Sequence, residues 1–344
     1  MRISIALATY NGEKYLAEQL DSLLLQSLLP SECVICDDGS TDGTLEILRN
    51  FAQKAPFTVH IHSNPTRLGY RENFLYCASL CTGEFVGFCD QDDVWLPTKL
   101  QRVAEAIEHH PHLSLVVHQG QVVDAQLRPT GQHYPQVARA QTQAKLTGEP
   151  FVNIPGFAMV FKRELLHACP WDHRPSDPNT YDLPAAHDTW ILFIAEVLGD
   201  VVFMPESLVL YRRHDNNTTV HAVKQRQTGT GLAQRIRDKL ARMRLRYQQR
   251  AGLFEECANL LLDLSQRSTP ATNDDLRAGS ARYRRFADIY ARRSRIYDPE
   301  SFLAQRLAVL RQLWAEQAYA RWEDGGVSAQ ALSKDVRYVL FAGI

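Results

Sequence analysis

The chain has 344 residues, 45% hydrophobic and 22% charged, with a formal net charge of −1. This is the composition of a globular protein long enough for a sizeable core, in one large domain or two, and its charge balance gives no reason to expect a nucleic-acid partner. No apolar run approaches the roughly 18 residues of a membrane span.

The opening MRISIALATYNG has one basic residue and a short apolar stretch, so it reads as a first strand and not as a signal peptide. Seven cysteines are an odd and sparse number for a disulfide scaffold. Together these lead us to expect a cytoplasmic chain. Residues 3–9 form a strand-like apolar run closed by the turn signal Tyr10-Asn11-Gly12. Residues 13–26 place Tyr15, Leu16, Leu20, Leu23 and Leu24 at helical spacing. A second buried strand, 32–36, ends at Asp37-Asp38-Gly39-Ser40 and leads into a helix over 41–51. A strand at 58–62, a helix at 70–80, a strand at 84–89, a helix at 97–109 and a strand at 113–118 follow. Strands alternating with helices predict a mainly parallel sheet covered on both faces. Ligands of such sheets lie beyond the carboxyl ends of the strands, where Thr9 to Gly12, Asp37 to Ser40 and Asp90 to Asp93 fall.

The near-zero total charge hides an asymmetry. Residues 1–220 carry 16 basic and 26 acidic side chains, net −10, and residues 221–344 carry 22 and 13, net +9. An acidic front half suits a cation or catalytic carboxylates. The basic back third suits an anionic partner, the front half itself, or plain solvated helices. We therefore place a catalytic domain at 1–220 and a basic, mainly helical region at 221–344. Two or three helices are expected there, over 229–264 and 277–320, with a polar break at 265–275.

Of five carboxylates, Asp37 and Asp38 follow one strand and Asp90, Asp92 and Asp93 follow another. Gathered at one sheet edge they repel one another, and need a cation, a basic ligand or strong hydrogen bonding to stay ionised. Asp90-Gln91-Asp92 spaces oxygen ligands as a hard divalent cation with a diphosphate requires. Asp-rich turns are common, but this one precedes Val94-Trp95-Leu96-Pro97, where Trp95 is an exposed aromatic candidate that either stacks on a sugar or anchors the helix.

In order and spacing, AxATYNGE, CDDGSTDGT and CDQDDVW, then GFAMVFKREL from Gly156, HDTW from His187 and YRRHDNN from Tyr211, resemble the inverting family-two nucleotide-sugar glycosyltransferases of the A-type fold. The nearest branch is that of bacterial surface-polysaccharide enzymes containing rhamnosyltransferases. The resemblance covers about residues 2–220. It implies a Rossmann-like α/β fold with a mixed, mainly parallel sheet, a nucleoside-diphosphate sugar donor and a saccharide or lipid-linked saccharide acceptor. It also implies a divalent cation, Mn²⁺ or Mg²⁺. By the same resemblance Thr9, Tyr10, Asn11, Asp38, Arg67 and Asp90 line the nucleotide, Asp38 meeting the ring N–H of the pyrimidine. Asp92 and His214 hold the metal. Asp93, Trp95, Gly156, His187, Arg212 and Arg213 contact the diphosphate, donor or acceptor, and the glycine permits close approach. Asp188 matches the base that deprotonates the acceptor hydroxyl; without the resemblance it reads as a helix N-cap. The branch implies dTDP-L-rhamnose as donor, a UDP-hexose being the alternative, and a non-catalytic assembly subunit is the rival class. A nucleotidyltransferase fits less well, since ALATYNGEKY is a poor phosphate loop.

Other features read blandly. Cys33 and Cys36, three residues apart on a strand, face opposite sides, and Cys77 and Cys81 are packing residues on one helix face. His109-His110 end a helix. Asn216 and Asn217 suit a loop, and the sequon Asn216-Asn217-Thr218 is read as chance. From Lys224 to Arg250, nine basic residues accompany Leu232, Ile236, Leu240, Met243 and Tyr247 at spacings of three and four. This is an amphipathic basic helix, suited to an anionic membrane face, to the acidic front half or to a homo-oligomer contact.

Overall fold

The computed structural model describes residues 1–214 and 232–341. The sequon at Asn216 and the basic residues Lys224 and Arg226 lie outside the described residues. The described chain forms two compact units, one of residues 1–145, 151–174 and 185–214, the other of residues 146–150, 175–184 and 232–341.

In the first unit, β1 (Ile3–Thr9), α1 (Leu16–Leu24), β2 (Glu32–Asp37), α2 (Thr44–Lys54), β3 (Thr58–Ser63), α3 (Tyr70–Ser79) and β4 (Phe85–Cys89) succeed one another. Then come β5 (Val94–Trp95), α4 (Lys99–Glu108), β6 (Leu113–Val123), β7 (Pro129–Tyr134) and β8 (Gln141–Gln143). The unit closes with β9 (Met159–Lys162), α5 (Glu164–Ala168), α6 (His187–Leu198) and β10 (Asp200–Arg212). The strands make one mixed sheet in the order β3-β2-β1-β4-β9-β6-β10-β5. β1 is parallel to β2 and β4, and β2 to β3, while β9 runs antiparallel between β4 and β6. Covered on both faces, β1, β2 and β4 are buried at every residue, which is why they read as continuous apolar runs. Chain order reverses direction between β1 and β4, the crevice where such sheets bind ligands. The long β10 lies parallel to β6 and antiparallel to β5, so its end, Arg212, arrives beside the segment that follows β4.

All seven cysteines are buried and free. In the second unit α7 (Leu232–Arg267) and α8 (Pro270–Ile296) pair as a hairpin, followed by α9 (Leu303–Ala315) and α10 (Ala329–Phe341). The break between the first two is narrower than the polar composition of 265–275 suggests, because Pro270 opens α8 in the first turn, where its missing N–H costs nothing. Residues 277–320 are two helices, since Asp298-Pro299 ends α8. Two short front-half segments join this unit, which a single cut at residue 220 does not provide for. Arg282 Nη2 donates to Gly148 O at 3.1 Å, and Ser176 N to Glu256 Oε2 at 2.9 Å.

Candidate active site

The site is built where β1, β2 and β4 end. After β1 the chain turns through Asn11 in the left-handed region (φ 46°). Asn11 N donates to Ser40 Oγ at 2.9 Å, and Asn11 Oδ1 accepts Thr41 N at 2.9 Å. Thr9 is buried and donates its Oγ1 to Asp37 Oδ1 at 2.9 Å. Both side chains thus build the turn, Thr9 from a buried position and Asn11 from an exposed one. Tyr10 is half-buried, with the Arg67 guanidinium 3.8 Å above its ring centroid, a stacked pair on the rim.

Asp38 is 3% exposed. Its carboxylate accepts Asn64 Nδ2 at 2.9 Å, Leu68 N at 2.7 Å and Gly69 N at 2.7 Å. Its main work is therefore to fold the 64–69 loop that carries Arg67. A carboxylate has about four acceptor sites, so at most one remains for a ligand N–H.

The acids after β4 divide into two kinds. Asp90 and Asp92 are half-buried, and burial together with repulsion from Asp92 and Asp188 pushes Asp90 up to about 7. Asp92 Oδ2 lies 2.8 Å from His214 Nε2, and the His214 ring packs 4.8 Å from Tyr15. Asp93, by contrast, is fully buried and accepts the Arg212 backbone N–H at 2.9 Å. Burial and its neighbouring aspartates raise it well above the carboxylate range. It is an internal fastener for the end of β10, which corrects the expectation of a ligand contact.

Three further expectations are corrected by burial. Trp95 is 1% exposed because its two-residue strand pairs with Val209 and Leu210, and the buried Lys99 Nζ sits 3.4 Å over its ring. This is the helix-anchoring alternative, with the ring packed inside the protein. Arg212 is 1% exposed, donating Nε to Asp92 O at 2.8 Å and Nη1 to Ala125 O at 3.0 Å, and pairing with Glu18. It is a clamp on the acidic loop and not a mobile phosphate ligand. His187 is 5% exposed, stacked 4.2 Å from Phe74 and edge-on to Phe88 and Tyr70. Burial lowers it to about 4, so the imidazole is neutral. Gly156 serves this packing, because a Cβ there would stand 2.6 Å from His187 Nε2. The close approach is to the histidine. Gly156→Ala is therefore expected to lower stability by about 1–3 kcal/mol, read as a fall in the denaturation midpoint; an unchanged midpoint would refute the contact.

Asp188 stands in the first turn of α6, half-buried. Its Oδ1 accepts its neighbour Thr189 N at 2.7 Å, and its Oδ2 takes no hydrogen bond from a described residue. Burial raises Asp90 and Tyr134 most, and the charge of Asp188 adds to both, so Asp188 lies within electrostatic reach of the acids that follow β4. Arg213, half-buried, donates to Tyr211 OH at 3.3 Å and makes no ion pair among the described residues. Among the described residues no three His, Cys, Asp or Glu side chains form a ready metal cage.

Sequence reasoning missed two supports. Gln91 spans the β1–β4 crevice, accepting Tyr10 N on its Oε1 at 2.9 Å and donating its Nε2 to Tyr10 O at 3.0 Å. It is the one non-acid in DQDD, which was a signal. Arg174, paired with Glu72 and donating to Ala185 O at 2.8 Å, ties down the segment leading to Asp188. Nothing local in sequence marks that pair.

A cluster of acids at the carboxyl ends of a mixed sheet, beside a stacked Tyr and Arg, is the frame of an A-type sugar-nucleotide transferase. Residues 4–168 match the family described as Glycosyl transferase family 2. An uncharacterised glycosyltransferase of Nostoc sp. is 30% identical over 227 residues, covering 64% of this chain and 68% of that one. The chain belongs to glycosyltransferase family 2. An uncharacterised protein of Mycobacterium tuberculosis is 27% identical over 218 residues, and this chain spans 59% of its length. The poly(ribitol-phosphate) β-N-acetylglucosaminyltransferase TarS of Staphylococcus aureus is 36% identical over 124 residues, 35% of this chain and 21% of that one. The crystal structure of TarS residues 1–349 with UDP-GlcNAc shares the fold at TM-score 0.54 and 18% identity, covering 100% of this chain and 90% of that one.

Proposed function

We propose that the chain moves one sugar from a nucleoside diphosphate to a hydroxyl of a saccharide or lipid-linked saccharide during polysaccharide assembly, with inversion at the anomeric carbon. The observation that carries this reading is Asp188, at the start of α6, with one carboxylate oxygen that no described residue bonds and within electrostatic reach of the acids after β4. Asp188 accepts the proton of the acceptor hydroxyl as that oxygen bonds to the anomeric carbon, and the diphosphate leaves from the opposite face. Tyr10 and Arg67 line the nucleotide. Asp38 offers its remaining acceptor site to the pyrimidine N–H, and Asp90 lies toward the ribose. Arg213 meets phosphate charge.

The residues fit a divalent cation. Asp92 and His214 supply an oxygen and a nitrogen side by side, and Asp90, pushed up to about 7 by burial first and then by repulsion from Asp92 and Asp188, adds a third acid whose charge a cation would offset. Such ions are commonly held by one or two carboxylates with the remaining positions given by phosphates and water, so a pair of protein ligands suffices. When bound, the cation stabilises charge on the departing diphosphate. Chelation with EDTA is expected to abolish transfer and added Mn²⁺ or Mg²⁺ to restore it. Full turnover in EDTA would sink the roles given to Asp92 and His214.

Motif resemblance makes dTDP-L-rhamnose the first donor proposed; the partial likeness to TarS makes a UDP-linked N-acetylhexosamine the second. A thermal-shift panel of dTDP, UDP, GDP and CDP with Mn²⁺ separates them, since a ligand of the folded state alone raises apparent stability. A shift with none of the four would remove the donor site from this reading. A lipid-linked acceptor brings the chain to a membrane face at the periphery: no described helix is long and apolar enough to cross a membrane.

A further inference from the structure

The second unit holds a pocket of about 570 Å³ lined by Lys239 of α7 and by Gln330, Ser333, Lys334, Arg337 and Tyr338 of α10. Three cations face one cavity, and none of them has an ion-pair partner among the described residues. Lys239 Nζ rests 5.3 Å from the centroid of the Tyr338 ring, and Lys334 Nζ 5.7 Å from that of Tyr247. The acids nearest in sequence are spoken for. Asp335 is fully buried, with both oxygens taken by Arg293, Tyr297 and Tyr319. Asp238 accepts Gln234 Nε2 at 2.7 Å. Desolvation first, then the positive potential of Arg293, Arg246 and Lys239, lower the proton affinity of Lys334 against the opposing pull of Asp335. Like charges held together without ion-pair partners favour a bound anion. The hydroxyl of Ser333 and the amide of Gln330 add neutral donors among the cations.

We propose that this pocket binds a phosphate-bearing ligand, at a site separate from the donor crevice. Two or three cations around neutral donors suit a compact dianion or a phosphodiester better than a lone carboxylate. The phosphate belongs either to a soluble molecule or to an anionic lipid headgroup, and these share the recognition chemistry. The site lies wholly within the second unit, so it stands whether or not the reading of the donor crevice holds.

The test is calorimetric titration of the full chain with inorganic pyrophosphate, in the presence and absence of excess UDP. The expected result is a further site that weakens at least tenfold in Lys334→Gln/Arg337→Gln, about 1.4 kcal/mol. Arg321→Gln, removing an exposed arginine that pairs with Glu323 and Asp324, should change nothing. In parallel, the chain is sedimented with vesicles of phosphatidylcholine, with and without phosphatidylglycerol. Binding to the anionic vesicles that is lost in the double variant assigns the headgroup. Binding of pyrophosphate without vesicle binding assigns a soluble phosphate. Wild type that binds neither probe, or binding that the double variant leaves intact, overturns the proposal. Because all three substituted side chains are exposed, the variants are expected to keep their fold, and an unchanged circular dichroism melt verifies it.

Discussion

Asp188→Asn is expected to lower kcat by about 10²–10⁴-fold, the usual worth of a positioned general base, while leaving nucleotide affinity and thermal stability near wild type. The separation follows from how the side chain is held. Asp188 Oδ1 accepts Thr189 N at 2.7 Å, and an asparagine keeps a carbonyl oxygen for that bond, so the start of α6 remains anchored. What is lost is the second oxygen's ability to take a proton. His187 does not substitute, because it is buried among Phe74, Phe88 and Tyr70 with its proton affinity lowered. Asp93 does not either, because it is fully buried and bonded to the Arg212 backbone. The readout is steady-state transfer beside nucleotide binding to the same variant. Undiminished kcat would remove Asp188 from the chemistry.

A second large effect is expected far from the chemistry. Arg293 is 2% exposed and Asp335 fully buried, joined by Nε to Oδ2 at 2.7 Å and Nη2 to Oδ1 at 3.1 Å. Tyr297 and Tyr319 donate to the same carboxylate at 2.6 and 2.8 Å. The network fixes α10 to α8. Arg293→Ala leaves a carboxylate in the interior without its cation, and breaking a buried pair in this way costs about 3–5 kcal/mol. Removal of Arg321, whose side chain is 76% exposed beside Glu323 and Asp324, is expected to cost under about 1 kcal/mol. Urea denaturation followed by far-ultraviolet circular dichroism distinguishes the two; equal small losses would contradict the account of the buried pair. Asp335→Asn should fall between, since it keeps acceptor and shape but gives up the charge.

The contrast between these two groups shows what a sequence makes legible. β1, β2 and β4 are buried along their whole length and mostly apolar, and each hands over directly to polar residues, so strands and site edge were readable together. Helix limits in the first unit shifted by up to three residues, as at α2, where Asp42 accepts Thr44 N and Thr44 Oγ1 and delays the first turn. What was not readable was which way a side chain faces at a strand end. Arg212 and Arg213 are adjacent and chemically identical, yet alternation on β10 sends the first into the protein beneath Tyr15 and leaves the second half-buried beside Tyr211. Trp95 turned inward for a similar reason: a two-residue strand has no periodicity from which to read its face. The Arg174–Glu72 and Arg293–Asp335 pairs join residues far apart in sequence, and only the tertiary fold brings them together.

The cysteines have a practical consequence. Cys33, Cys36, Cys77, Cys81, Cys89 and Cys169 lie buried in the first unit and Cys257 in the second. Burial raises Cys33, Cys77, Cys81, Cys89 and Cys257 above the ordinary thiol range, and only the thiolate reacts with disulfide reagents. Each thiol is therefore a silent reporter that speaks when its surroundings open. A chain with Cys257 as its sole thiol would record opening of the helical unit against time, and its Cys257→Ser counterpart would record the sheet. Modification rates in the two would show directly which half of the molecule loosens first, with no probe added to the surface.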